Sequence, residues 1–301
     1  MEAQGRTHSS VAAALVAINR RARQARVDLM PALELLGADL ELEIIDVDDA
    51  SEMVAKLRAA YTDDVGSIIV GGGDGTINSV LPLLLEKGAP LGILPLGTAN
   101  DLARTLGLPA DPLEAAKVIA AGRTRRIDVG SVNGRYFVNA AGIGFSTTLH
   151  RELTPETKRL LGPLAYPVGV VRHWRSQRPF TVAVRIENAV QLHRVIQVTI
   201  ANGRFYGGGA TAHEDARIDD ALLDVVLIRP RPLPDFLLKL PRLRRGRYEG
   251  SPAVAYRAAR CSIETRRRHA VSTDGEESTA TPAEFRVLPR ALEVFVPDEP
   301  H

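Results

Sequence analysis

The chain has 301 residues, of which 45% are hydrophobic and 25% charged, a length that suits about two domains and a composition that excludes a disordered, collagenous or fibrous protein. Lysine plus arginine (38) against aspartate plus glutamate (36) leaves a formal charge of +2, too balanced for bulk attraction to nucleic acid, so any basic partner surface must be local. The single cysteine, Cys261, excludes an intrachain disulfide, no paired Cys/His spacing suggests zinc, and a reducing, cytoplasmic setting is expected.

Val11 to Ile18 is a short apolar run followed by Arg20, Arg21, Arg23 and Arg26, the reverse of a secretory signal's charge order, and it reads as a buried strand. No run approaches the ~18 apolar residues that a membrane-spanning helix needs. Leu40 to Val47, Val65 to Val70 and Leu91 to Leu94 read as further strands. Leu29 to Leu36, Ser51 to Tyr61, Thr76 to Glu86 and Pro112 to Ala121 read as helices between and after them. Strand and helix taking turns predicts a doubly wound α/β half. After Ile127 the pattern changes. Asn133-Gly134 separates the alternating segments Asp128 to Val132 and Tyr136 to Ala140, a strong hairpin signal. Strands are predicted at Pro179 to Glu187, Arg194 to Ala201, Leu222 to Ile228, Ala253 to Ala258, Cys261 to Glu264 and Glu284 to Val296. Pro155 to Trp174 and Pro234 to Arg245 read as helical insertions, the second interrupted by Pro241. The expected architecture is an α/β domain over 1–127 and an antiparallel β-sandwich over 128–301, with the extreme C-terminus packing back on the first domain.

The strongest chemical signal is Ile68-Ile69-Val70 running into Gly71-Gly72-Gly73-Asp74-Gly75-Thr76-Ile77-Asn78. A glycine loop that opens a helix lets backbone N–H groups approach a phosphate, and the helix N-terminus adds positive potential. The loop lacks the Gly-Lys-Ser/Thr of a P-loop and the spacing of a dinucleotide fingerprint, because Asp74 stands inside it. An acid there calls for a metal or a substrate proton. One βα unit later comes Pro95-Leu96-Gly97-Thr98-Ala99-Asn100-Asp101, in which Thr98 offers a hydroxyl to a phosphate oxygen and Asn100 or Asp101 caps the next helix. Both loops leave the carboxyl ends of strands, where α/β sheets bind ligands.

With Asn202-Gly203-Arg204-Phe205-Tyr206-Gly207-Gly208-Gly209 and Asp274-Gly275-Glu276, these two motifs resemble the diacylglycerol kinase catalytic-domain family, in particular its soluble bacterial YegS-like lipid kinases. The resemblance implies an ATP-binding α/β domain, a β-sandwich lipid domain and an active site in a cleft between them. It implies ATP phosphates on Gly72, Gly73, Asp74, Gly75, Thr76, Ile77, Asn78 and Thr98, with Asp46 at a nucleotide-contacting position. It implies that Asp274, or Asp74 in its place, accepts the proton of the lipid hydroxyl. It also implies Mg2+ held by the Asp220 carboxylate and the carbonyls of Arg217 and Leu222, although Ala221 stands where the family usually has glycine. The family's Asn-Pro-x-Ser-Gly-like loop is absent after the first strand, so Asn19 and Arg21 are phosphate contacts at most.

The reading is therefore an ATP- and magnesium-dependent kinase of a diacylglycerol-like, phosphatidylglycerol or sphingoid lipid. An NAD kinase shares the Gly-Gly-Asp-Gly loop, and a catalytically silent lipid-binding module is the alternative outside enzymes. Residues 229–247 combine Phe236, Leu237, Leu238, Leu240 and Leu243 with seven cations, a segment suited either to an anionic bilayer surface or to a core-facing helix with a basic rim. Expected partners are thus a lipid substrate and peripheral contact with an anionic membrane at its inner face; no nucleic acid is expected, and a homodimer is compatible with the reading.

Overall fold

A computed structural model describes residues 12–22, 28–145 and 178–298, so the predicted insertion Pro155 to Trp174 and Arg23 and Arg26 lie outside the described residues. Two compact units emerge, one from residues 1–98, 107–125 and 293–301, the other from residues 99–106 and 126–292.

In the first unit, β1 (Ala12–Asn19), β2 (Leu40–Val47), β3 (Val65–Gly72) and β4 (Leu91–Pro95) form a parallel array in the order β2-β1-β3-β4. Seven of the eight residues of β3 are buried, as in a parallel strand covered on both faces. The connecting helices are α1 (Met30–Gly37), α2 (Ala50–Ala60) and α3 (Asp74–Lys87), and α5 (Pro112–Ala120) follows β4. Their ends carry local chemistry: Pro112 opens α5 while the Asp111 carboxylate accepts the Leu113 and Glu114 amides, and α3 stops at Gly88 in a left-handed turn. Val16, Leu36, Ile69, Leu94 and Ile119 sit in one shared core.

The second unit contains the short helix α4 (Asp101–Thr105) and an antiparallel two-sheet sandwich. One sheet runs β14 (Ala253–Ala258), β13 (Leu223–Ile228), β10 (Gln197–Ala201), β7 (Ala140–Gly144), β16 (Ala270–Thr273) and β17 (Glu276–Ala280). Facing strands are β18 (Ala283–Phe295), β15 (Arg260–Thr265), β8 (Phe180–Ile186) and β9 (Ala189–Val195), with β5 (Thr124–Val132) pairing both β18 and β6 (Arg135–Phe137). Phe137, Ile143, Val198, Val225, Ile263 and Phe285 interdigitate between them. A small ribbon, β11 (Phe205–Tyr206) with β12 (Ala210–Thr211), and the helix α6 (Leu233–Leu243) complete the unit.

The α/β class and the antiparallel second half agree with the sequence reading, and the differences are local. The predicted strand Arg194 to Ala201 is two strands, β9 and β10, because Ile196 turns between them. β16 and β17 were not expected: they are the arms of the Asp274-Gly275 hairpin, whose two turn residues both have positive φ, 46° and 95°.

Candidate active site

In the first unit the carboxyl ends of the parallel strands line up at Val47, Asn19, Gly72 and Pro95. The chain passes from β1 to β2 on one side and then to β3 on the other, so the strand order reverses between β1 and β3, the point at which open α/β sheets receive ligands. The glycine loop lies there. Gly73 is the N-cap of α3 and Asp74 stands in its first turn, half-buried, so first-turn amides and a carboxylate share the mouth of the loop. Glycine at 72 is a steric requirement, since a Cβ there would lie 2.6 Å from Thr76 Cβ. Asn19 ties the switch point together: its Nδ2 donates to Thr76 Oγ1 (3.0 Å) and its Oδ1 accepts the Arg21 amide (3.0 Å). Asn19 is thus a brace of the loop, a role that the sequence did not reveal. The Leu96 amide donates to the Gly72 carbonyl (2.9 Å), which sets the Gly97-Thr98 loop beside the first, with Thr98 exposed. Asp46 ends up two strands from Gly72 and accepts from Arg20 Nη2 at 2.5 Å, an exposed ion pair.

The remaining motifs meet in the second unit. Contrary to the capping expectation, neither Asn100 nor Asp101 caps α4 with its side chain. Asn100 has φ +49° at the N-cap with no side-chain cap bond, and the buried Asp101 carboxylate accepts the Gly208 and Gly209 amides (2.9 and 2.8 Å). Gly207, Gly208 and Gly209 all have positive φ, which turns successive N–H groups to one side as a nest for that carboxylate and outcompetes local capping. Asn202, also buried, donates through Nδ2 to the Asp128 and Val138 carbonyls (both 2.9 Å), and its amide donates to the Asn139 carbonyl (2.9 Å). Asp274 grips the same segment: its carboxylate accepts the amides of Val138, Asn139 and Ala140, each at 2.9 Å, and its own amide donates to the Ala140 carbonyl. Three of the four motifs therefore act on one another through the backbone. Glu276, exposed at the start of β17, is the second acid of the hairpin; the sequence places it in the Asp274-Gly275-Glu276 motif and gives it no role of its own.

Whether Mg2+ fits the 217–222 loop follows from the donor set. Asp220 accepts the Leu222 amide at Oδ1 (3.0 Å) and the Arg257 guanidinium at Oδ2, while Arg257 Nε donates to Asp224 Oδ1 (3.0 Å). Arg217 turns its guanidinium to Asp219 (3.2 Å). Among the described residues no three His, Cys, Asp or Glu side chains gather as a metal cluster. Both oxygens of the one expected carboxylate ligand are engaged and a fixed cation already stands against it, so the residues present do not fit the ion in this arrangement. The turn itself forms despite Ala221, which takes φ +59° and donates its amide to Asp128 Oδ2 (2.6 Å). Asp128 is a buried polar residue whose other oxygen accepts the Arg290 amide (2.8 Å); its only sequence signal is an acid inside the apolar strand Ile127–Val132. Burial pushes the Asp224 carboxyl up, against the pull of Arg257. Burial also pushes the Cys261 thiol up to about 12, which makes it a core residue and no nucleophile.

Comparison with known proteins now decides the family. Residues 13–132 match the family described as Diacylglycerol kinase catalytic domain, and residues 140–296 match YegS C-terminal NAD kinase beta sandwich-like domain. A diacylglycerol kinase of Bacillus subtilis (strain 168) is 33% identical over 254 residues, 83% of this chain and 84% of that one. The chain belongs to the diacylglycerol kinase family. Another diacylglycerol kinase, of Staphylococcus carnosus (strain TM300), is 28% identical over 265 residues and 87% of each chain. A crystal structure of a diacylglycerol kinase from Bacillus anthracis str. Sterne superposes with a TM-score of 0.79 at 26% identity, covering 96% of this chain and 99% of that one. As a member of this family the protein is a lipid kinase, a phosphotransferase with an alcohol acceptor, and kinases of the family use ATP. Among the described residues no helix is long and apolar enough to cross a membrane.

Proposed function

We propose that this diacylglycerol kinase family member transfers the γ-phosphoryl group of ATP to the hydroxyl of a diacylglycerol-like lipid, with phosphatidylglycerol and sphingoid bases as further acceptors of the same chemistry. The observation that carries the reading is the glycine loop at the β1/β3 switch point, braced by Asn19 and opening α3 with an acid in its first turn. The phosphates lie on the amides of residues 72–78 and on Thr98. The lipid oxygen forms its bond to the γ-phosphorus as the bond to the ADP oxygen breaks, and the hydroxyl proton passes to Asp74. Holding those atoms in line and stabilising the equatorial oxygens supply most of the rate. Mg2+ accompanies ATP as counter-charge, with no protein ligand assigned to it.

Asp274 is a positioning residue in this proposal, since its carboxylate already accepts three amides. Radiolabelled ATP with a panel of lipids and NAD tests the scheme in the parent, Asp74→Asn and Asp274→Asn. Asp74→Asn is expected to lower kcat by roughly 10²–10⁴-fold with nucleotide affinity intact. Asp274→Asn, which turns an amide NH2 against backbone donors, is expected to lower the melting temperature as well as turnover. An Asp274→Asn protein that melts like the parent yet loses kcat as Asp74→Asn does would transfer the base role to Asp274. Label appearing on NAD and on no lipid would overturn the lipid kinase proposal.

A further inference from the structure

Six large hydrophobic side chains are notably exposed among the described residues, and four of them lie on β9 and α6: Val190 (48%), Leu192 (74%), Leu237 (43%) and Leu238 (79%). β9 is the outermost strand of its sheet, and its two faces differ. Gln191 and His193 turn inward, each with its side chain on Tyr256 Oη (2.6 and 3.0 Å), so the alternate residues Val190, Leu192 and Arg194 face outward. α6 is apolar on opposite sides. Phe236 and Leu243 are buried, while Pro234, Leu237, Leu238 and Pro241 are all exposed, with Arg242 beside them at helical spacing. A core-facing helix with a basic rim does not need that second apolar face.

β9 and the segment that leads into α6 line a shallow, open depression of about 370 Å³, formed by Leu192, His193, Arg194, Arg229, Pro230 and Arg231, and α6 begins two residues later at Leu233. Arg194, Arg229 and Arg231 have no carboxylate partner among the described residues, unlike Arg257, which holds two. The depression is therefore a concentration of uncompensated guanidinium groups, the donors best suited to a phosphodiester. Burial and the Arg229 charge hold the His193 imidazole below its usual range, in keeping with positive potential there.

We propose that the outward face of β9 and the exposed face of α6 form one docking surface for an anionic phospholipid bilayer, in which Arg194, Arg229 and Arg231 receive headgroup phosphate while Val190, Leu192, Leu237 and Leu238 enter the interfacial layer. The charge of the depression selects this occupant over a neutral protein surface. The inference deepens the lipid kinase reading, and it assigns membrane contact to residues remote in sequence from every phosphate-loop motif. Arg244 is excluded from the lipid-facing set because its Nη2 donates to the Gly208 carbonyl (3.2 Å).

Co-sedimentation with vesicles of equimolar phosphatidylcholine and phosphatidylglycerol, and of phosphatidylcholine alone, tests it. The parent is expected to bind the mixed vesicles preferentially. Each of Arg194→Gln, Arg229→Gln and Arg231→Gln should weaken partitioning about fivefold and the triple variant roughly a hundredfold, and Leu192→Ser with Leu238→Ser should abolish the binding that survives high salt. A triple variant that binds mixed vesicles like the parent, or a parent indifferent to phosphatidylglycerol, overturns the assignment. So does a parent dimer that Leu192→Ser dissociates while vesicle binding stays unchanged, since the face then serves a second copy. Turnover of detergent-dispersed short-chain diacylglycerol separates docking from catalysis. The triple variant should match the parent there; a variant that fails on dispersed substrate places the arginines in the kinase site and removes the docking role. Vesicle binding by a parent that phosphorylates no lipid would count against the kinase reading and leave the docking surface supported.

Discussion

Ala221 holds φ +59° in the turn that leads into β13, a backbone region that costs a residue with a Cβ roughly 1–2 kcal/mol. Sequence reasoning saw only that glycine was missing and could not say whether the turn survives. Asp128, which accepts the Ala221 amide at 2.6 Å, shows why it does: a half-buried hydrogen bond to a buried carboxylate compensates the strain. Replacing Ala221 by glycine removes the strain and keeps the amide, against a larger entropy loss on folding. Ala221→Gly is therefore expected to raise stability by about 0.5–1 kcal/mol in urea denaturation. A loss of stability in that variant would show that the alanine side chain, and not the backbone, is what the turn needs.

At the scale of elements, the loop before β13 and the strand β14 are joined by Arg257, which bridges Asp220 and the buried Asp224. A carboxylate as buried as Asp224 is tolerated because that guanidinium faces it. Arg257→Met leaves the acid unpaired; with the arginine one-third exposed, the expected loss is roughly 2–3 kcal/mol at pH 7. The sign of its pH dependence follows from the direction in which burial already pushes Asp224. A carboxyl whose folded pKa is raised stabilises the fold while protonated and loses that contribution as pH rises through the folded value, so the deficit of Arg257→Met should shrink on acidification. Asp224→Asn in the same background should recover part of it at neutral pH. Because the arginine occupies the carboxylate expected to bind magnesium, chelator should leave the parent's melting curve unchanged. A clear drop with EDTA would restore a structural ion to this loop.

At the scale of the whole molecule, what the sequence discloses and what it hides divide along local and non-local physics. The glycine loop that opens α3, the Asn133-Gly134 turn and the helix that begins at Pro112 were legible because a few consecutive residues determine each of them. Asp101 gripping the 207–209 nest and Asn202 holding Val138 were not, because each joins residues tens of positions apart and carries no periodicity. The same limit governs the unit boundaries. α4, read as part of the first half, falls in the second unit, where Asp101 and Thr105 meet the Gly208 and Phe205 amides. Conversely, the last residues of β18 fall in the first unit, where Val294 pairs with Leu91, the Val296 amide donates to the Arg123 carbonyl (3.0 Å) and Thr124 Oγ1 donates to Glu293 (2.6 Å). Neither unit is therefore one continuous stretch of chain. Ending the protein after Leu292 leaves the β4 partner strand missing and exposes the positions that Val294 and Val296 cover, both buried. Two fully buried valines are worth roughly 3–5 kcal/mol, a large share of the ~5–15 kcal/mol that holds an ordinary domain together. The shortened protein should accordingly lose nucleotide-dependent protection of residues 72–78 in hydrogen exchange and melt at lower temperature, whereas β7, β10 and β13 should stay protected. Unchanged exchange in the first unit after that truncation would mean that its sheet closes without β18.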